Sequence, residues 1–222
     1  MNAISQSQVG IINIIAHRGY WLQASEKNTL IAFSRALECG FGIETDLRDL
    51  NGALVVSHDV PTASAMKSTH FSNLYRAHPV NAPIALNIKS DGLHAFIKQF
   101  IVDSEFKNVF AFDMSVPDMQ GYFNNKISVF TRLSEHEPTP AFLNSCEGVW
   151  LDAFESQWYS ASTIRPLLKH NKKVAIVSPE LHNRPHLPLW QLIRDNGFHC
   201  SGLLSICTDY PMQAKEYFYG QN

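Results

Sequence analysis

The sequence predicts an α/β protein folded as a compact TIM-type (β/α)8 barrel, and three observations carry that prediction. Eight short β-branched or apolar runs recur along the 222 residues, with helical patterns or loops between them. That is the rhythm of strand and crossover helix that builds a parallel sheet. Most of the runs are continuous rather than alternating, as strands buried on both faces require. The first run lacks the GxGxxG phosphate loop that a doubly wound open sheet would want after it, which favours the barrel over that rival. A typical barrel has about 250 residues. Residues 1–222 are therefore expected to form a single barrel domain with little left for insertions, so that selectivity falls to short loops at its mouth.

The expected strands are 11–16, 42–47, 84–89, 109–113, 127–132, 148–152, 174–178 and 202–206. Between the first two, Asn28 or Thr29 can cap a helix whose apolar positions Leu30, Phe33 and Leu37 follow helical spacing, with Gly40 as its stop. Asn51-Gly52 reads as a tight hairpin turn before a further run, Leu54–Ser57. Leu189, Leu192 and Ile193 mark a helix that ends before Gly197, and Pro211 suits the first turn of a final helix with Asp209 near its cap.

Composition narrows the function classes. Hydrophobic residues make up 45% of the chain and charged residues 17%, and 18 Lys and Arg against 20 Asp and Glu leave a net charge of −2. This balance argues against disorder, non-specific nucleic-acid binding, an acidic tail or a polybasic membrane anchor. Cys39, Cys146, Cys200 and Cys207 form no CxxC pair, so neither a structural zinc nor a disulfide framework is expected. Reduced thiols in a cytoplasmic protein are the plain reading. The start, MNAISQSQVG, has no basic region, and the apolar stretch 9–16 is interrupted by Gly10 and Asn13. It is expected to be the first core strand, not a signal peptide or an integral membrane segment.

In a barrel the chemistry sits at the C-terminal strand ends. Those ends carry His17-Arg18-Gly19, Glu44-Thr45-Asp46 and Asn87-Ile88-Lys89, and His58-Asp59 follows the hairpin turn. Polar residues at the ends of apolar strands must be paired or bind something. Glu44 and Asp46, two apart on a strand, point to one face, where two like charges repel unless a cation or proton sits between them. Hard oxygen ligands without thiolate fit Mg2+ or Ca2+. The alternative is a structural network in which the carboxylates pair with Arg18, Arg48 or Lys89.

Taken together, AHRGY at 16–20, KNTLIAF at 27–33, GIETDLR at 42–48 and LVVSHD at 54–59 resemble the glycerophosphodiester phosphodiesterase family, part of the wider phosphatidylinositol-phospholipase-C-like barrel group. NIK at 87–89 and CTDYP at 207–211 follow more loosely. The resemblance implies a metal-assisted attack on a small phosphodiester substrate. His17 and His58 would be its general acid–base pair, Glu44, Asp46 and Asn87 its ligands for Mg2+ or Ca2+, and Arg18 and Lys89 its phosphate contacts. The nucleophile is either water or a neighbouring hydroxyl of the substrate, the latter giving a cyclic phosphate. A different class of rival is a non-catalytic phosphate-binding barrel with a weakened metal site.

Two positions depart from the family pattern. Asn87 stands where an acid usually serves as third metal ligand, and Lys27 replaces a glutamate. Lys27 is expected to be a solvated residue rather than a phosphate contact. In the back half, Asp113, Arg132, Asp152, Glu180 and Asp209 fall near strand ends, where they would touch the leaving group, complete the metal shell or serve structure. Trp150, Trp158, Tyr159 and Trp190 fit either a pocket lining or packing between barrel and helices. His182 and His186 lie four apart, but Pro185 argues against a helix through them, so they are expected to be surface or loop residues.

Overall fold

The structure, a computed structural model, describes residues 11–220, so the expectation for the segment MNAISQSQVG lies outside the described residues. Eight parallel strands form the frame: β1 (Asn13–His17), β2 (Gly42–Leu50), β5 (Ile84–Ile88), β6 (Val109–Phe112), β7 (Phe130–Leu133), β8 (Gly148–Leu151), β9 (Lys173–Val177) and β10 (Leu204–Thr208). Each is within a few residues of its expected bounds. The pairing runs β6–β5–β2–β1–β10–β9–β8–β7. The seam between β6 and β7 is held by one parallel bridge, Ala111 with Val129, with the Ala111 N–H donating to the Ser128 carbonyl at 2.9 Å. That contact brings the two ends of the sheet together, as the (β/α)8 prediction requires.

The continuous apolar runs divide between two cores. Ile15, Ala85, Phe110, Phe112, Phe130 and Trp150 belong to a buried cluster separate from the larger one that joins strands to helices. Successive strand residues point to opposite faces, so the alternation sends one set inward and its neighbours under the helices. Large rings meet inside: Phe110 stacks on Phe130 with centroids 3.7 Å apart, and Phe112 on Trp150 at 3.8 Å. Trp150 is therefore interior packing, and Trp190 is buried with its indole N–H on Ser178 Oγ at 2.9 Å.

The outer layer holds α1 (Leu30–Glu38), α2 (Ser68–Ala77), α3 (His94–Ser104), α4 (Met119–Asn124), α5 (Ala161–Lys169), α6 (Leu187–Asp195) and α7 (Pro211–Tyr219). In α1 the Thr29 hydroxyl accepts the Ala32 N–H, and Ala32, Phe33, Ala36 and Leu37 form its buried stripe. Such a cap contributes about 1 kcal/mol. The eight-fold strand–helix rhythm is incomplete. Among the described residues the β7–β8 connection carries no α-helix, and Pro138-Thr139-Pro140 lies within it. Prolines this close together remove amide donors and disfavour helix before each ring.

The Asn51-Gly52 turn forms as expected, with φ +50° and +76°. It returns the chain as β3 (Ala53–Val56), antiparallel to the extended end of β2, and β4 (Met66–Lys67) pairs with β3. No helix among the described residues is long and apolar enough to cross a membrane. Away from the barrel mouth, Phe71 on α2 is fully buried against Phe33, Phe100 and Phe106. Phe71→Ala is expected to cost about 3–5 kcal/mol, read from the midpoint of urea unfolding.

Candidate active site at the barrel mouth

The inward alternation continues past the apolar layer and becomes the site. Register aligns His17 with Glu44, Glu44 with Ala85, Asp46 with Asn87 and Asn87 with Phe112. The residues two beyond Ile15, Ala85, Phe130 and Trp150 are thus polar, His17, Asn87, Arg132 and Asp152, and lie at the open end. A cavity of about 240 Å³ there is lined by His17, Arg18, Glu44, His58, Asn87 and Lys89. Residues of the later strands and loops, from Phe112 to His182, line it as well. Asp46, two residues beyond Glu44 and in register with Asn87, is fully buried.

The turn after β1 is built for close approach. Arg18 and Gly19 both have positive φ, at +58° and +86°. A Cβ on Gly19 would come within 2.8–2.9 Å of the Ala32 backbone and the Phe33 ring, so only glycine fits. The Arg18 N–H donates to the Glu44 carbonyl at 2.9 Å and approaches its carboxylate at 3.2 Å. The hairpin brings the fourth element: Ser57 N–H bonds the Asp46 carbonyl at 3.0 Å, setting His58 over the mouth.

The two histidines share a pattern. His17 Nδ1 lies 2.7 Å from Asp209 Oδ1, and His58 Nδ1 lies 2.8 Å from Asp59 Oδ1. A carboxylate at Nδ1 makes that nitrogen the donor and leaves Nε2 as the working nitrogen of the neutral ring. His17 is largely enclosed, with its Nε2 3.9 Å from Glu44 Oε2. His58 is about half exposed. Burial works to raise the Asp209 carboxyl, but the hydrogen bond and charge of His17, helped by Lys27, hold it below the usual aspartate range.

Around the paired carboxylates the structural network and the proposed ligand set coincide. Arg18 Nε stands 3.2 Å from Asp46 Oδ2 and Lys89 Nζ 3.4 Å from Oδ1. The Asn28 amide donates to Asp46 Oδ2 at 2.8 Å, and its oxygen accepts the Thr45 hydroxyl at 2.9 Å. Asn28 thus braces Asp46, while Thr29 takes the helix cap. Arg48 is not in this network, since its Nε donates to the His58 carbonyl at 3.2 Å. Burial, and then the charge of Asp46, push Glu44 up to about 7.

A hard divalent cation fits the donor set. Glu44 and Asp46 offer carboxylates, and Asn87 donates its amide N–H to Glu44 Oε1 at 3.1 Å. Asn87 Oδ1 and Asp46 Oδ1 are both buried with no hydrogen-bond partner among the described residues, the latter with Lys89 nearby but out of line. A buried acceptor left so costs about 1–3 kcal/mol, which a cation would recover. Among the described residues no three His, Cys, Asp or Glu side chains gather as a metal-holding group.

Two residues, Lys27 and His182, differ from expectation. Lys27 is not simply solvated: its Nζ is 3.6 Å from Asp209 Oδ2 and 4.4 Å from the Trp21 ring centroid. Asp209, one residue before the N-cap of α7 as expected, takes the structural one of its alternatives and holds His17, because β10 closes on β1 and delivers its end beside that ring. His182 is not a free loop residue, since its Nε2 lies 2.8 Å from Asp152 Oδ1 and it lines the cavity. Only the pairing of strands distant in sequence reveals these contacts. Glu180 accepts the Asp209 N–H at 3.1 Å and the Thr208 hydroxyl, a bracing role.

The raised Glu44 carboxyl fixes a pH dependence. Between the ordinary glutamate pKa of 4.5 and about 7, the folded protein keeps a proton on Glu44 that the unfolded chain has lost. Stability from this group therefore falls as pH rises from 4.5 to 7. Glu44→Gln is expected to flatten that slope in thermal unfolding scans, and Mg2+ or Ca2+ to reduce it in the parent protein. A slope identical in parent and variant would contradict the assignment.

No protein-family model matches the sequence, and no curated protein matches it. Solved structures do. A protein from Galdieria sulphuraria assigned as a glycerophosphodiester phosphodiesterase superposes with TM-score 0.74 at 14% identity, covering 96% of this chain and 100% of that one. The glycerophosphodiester phosphodiesterase from Agrobacterium tumefaciens str. C58 gives 0.68 at 15% identity, over 95% and 100%. A glycerophosphoryl diester phosphodiesterase from Parabacteroides distasonis ATCC 8503 gives 0.69 at 13% identity, over 96% and 88%. Over nearly its full length, this chain shares the barrel fold of the glycerophosphodiester phosphodiesterases.

Proposed function

We propose that the protein is a phosphoric diester hydrolase acting on a glycerophosphodiester or a related small phosphodiester. The observation that carries this reading is a pair of imidazoles, each tied through Nδ1 to a carboxylate, on the same cavity as Arg18 and Lys89. The shared fold and the motif resemblance support it. Arg18 offers a planar fork to two phosphate oxygens, and Lys89 offers a point charge. One histidine takes the proton of the attacking hydroxyl as its oxygen bonds to phosphorus. The other gives a proton to the alkoxide as the second P–O bond breaks. An unperturbed pKa of about 6.5 suits imidazole to both transfers near neutral pH. A divalent cation at Glu44, Asp46 and Asn87 would supply polarisation of a phosphoryl oxygen.

Arg18 and Lys89 lie against Asp46, so the same carboxylate that would bind the cation also positions the phosphate contacts. Asp209 fixes the His17 ring and favours the imidazolium once it forms. In a panel of small diesters, His17→Ala and His58→Ala are each expected to lower turnover by about 10²–10⁴-fold with unchanged circular dichroism. Full activity in either variant would sink the pair. EDTA is expected to lower turnover and Mg2+ or Ca2+ to restore it, whereas indifference to chelation would remove the cation from the reading. Phosphorus NMR of the products separates hydrolysis, with a free monoester, from release of a cyclic phosphate. Binding without turnover across the panel would favour the non-catalytic barrel.

A further inference from the structure

A second and larger cavity, of about 980 Å³, lies between the start of α1, the stretch after β3 and the start of α2. Arg18 and His58 line both this space and the barrel-mouth cavity, so an ester bound against them can direct one arm into it. The chemistry above does not use this space. Its polar wall is basic: Lys27, Lys67 and His70 join Arg18 and His58, against one acid, Asp59. Asp59 is itself tied to His58 Nδ1 at 2.8 Å and is otherwise exposed. Leu30, Ile31 and Met66 contribute to the apolar remainder.

The two lysines are held differently. Lys27 Nζ stands 3.6 Å from Asp209 Oδ2, beyond hydrogen-bond length, and 4.4 Å from the Trp21 ring centroid. Its place is thus set while its N–H donors stay available to a further acceptor. Lys67 is exposed and, among the described residues, pairs with no carboxylate. It stands at the start of α2, which no side chain caps. A trimethylammonium arm would meet these cations as like charges, and a neutral arm would leave their donors to water. An alkyl chain would cover Leu30 and Ile31 but would strip water from the lysines without replacing it. An anionic group satisfies both.

We propose that the arm entering this cavity carries a negative charge of its own, as a phosphate monoester or a carboxylate, and that Lys27 and Lys67 select it. The proposal rests on the phosphodiesterase reading for the position of the scissile phosphate. Neither lysine takes part in the proton transfers assigned to His17 and His58.

Five diesters of sn-glycerol 3-phosphate test it, differing only in the second alcohol: ethanol, choline, dodecanol, 3-hydroxypropionate and 2-phosphoethanol. Binding to His17→Ala, which prevents turnover, is followed by NMR titration at low and high salt, with the same divalent cation throughout. The carboxylate and phosphate arms are expected to bind about tenfold more tightly than the ethyl ester at low salt, the discrimination of two partly exposed ion pairs. That margin is expected to narrow at high salt. Lys27→Gln and Lys67→Gln are each expected to reduce it about threefold, and Lys67→Gln to leave affinity for the ethyl ester unchanged. The tighter of the two anionic arms identifies the group, and either order supports the proposal. Values of kcat/KM for the parent protein across the series are expected to follow the same order, independently of the His17 variant. Equal affinity for charged and ethyl arms, binding of none, or tightest binding of the choline or dodecyl ester overturns the proposal. So does a margin unchanged in both lysine variants. A charge preference in binding while the parent protein cleaves none of the five would sink the phosphodiesterase reading and leave this subsite standing. Cleavage of all five with equal kcat/KM would sink the subsite alone.

Discussion

Two carboxylates two residues apart on a fully buried stretch of strand are the constraint around which this molecule is arranged. Glu44 and Asp46 share one face of β2 and are both almost completely shielded from water. Left alone, such a pair would carry an electrostatic penalty of several kcal/mol. Everything in contact with it reduces that penalty. Arg18 and Lys89 approach Asp46, and Asn28 and Asn87 donate amide hydrogens to the two carboxylates. Four chain segments meet there because each must. The left-handed Arg18–Gly19 turn follows, since the backbone has to reverse tightly enough to keep the guanidinium on Asp46 while α1 packs against Gly19.

Closure of the barrel supplies the second requirement. The first strand carries His17, but the carboxylate that holds it comes from the end of the last barrel strand, 192 residues later. That contact exists only because β10 pairs with β1. Barrel integrity and ring orientation are thereby coupled, so damage to the β1–β10 pairing would free the imidazole before it exposed the core. His58 is positioned by a different device, the hairpin that folds back over β2, and is correspondingly more open to solvent.

The frame and half of the site could be read along the chain. Buried parallel strands leave uninterrupted apolar runs, and Gly, Asn and Pro punctuate the ends, so strands, the Asn51-Gly52 turn and the caps near Thr29 and Pro211 were all legible. His17, Arg18, Glu44, Asp46, His58, Asn87 and Lys89 were legible as polar endings of those runs. The partnerships of Asp209, Lys27 and His182 were not, because each depends on which distant strand end becomes a neighbour. His182 sits in a short helical turn after β9, with no periodicity to mark it. The missing helix between β7 and β8 was hidden for the opposite reason: two nearby prolines forbade it, but the strand rhythm on either side suggested a full repeat.

Charge balance gives Asn87 a physical meaning. The mouth holds the carboxylates of Glu44, Asp46 and Asp209 against the cations of Arg18, Lys27 and Lys89. The core of the site is therefore close to neutral when Glu44 is ionised. A third acid at position 87 would tip it negative, against the charge of an incoming diester. With asparagine there, the same oxygen-donor position is kept without the added repulsion. On the proposed reading the cation would be held by fewer charges, and a bound phosphate would contribute the missing negative oxygen. On that reading, attraction for the anion and attraction for the cation would depend on one another, because the groups that would balance each of them, Arg18 and Lys89 on one side and Asp46 on the other, are already in contact.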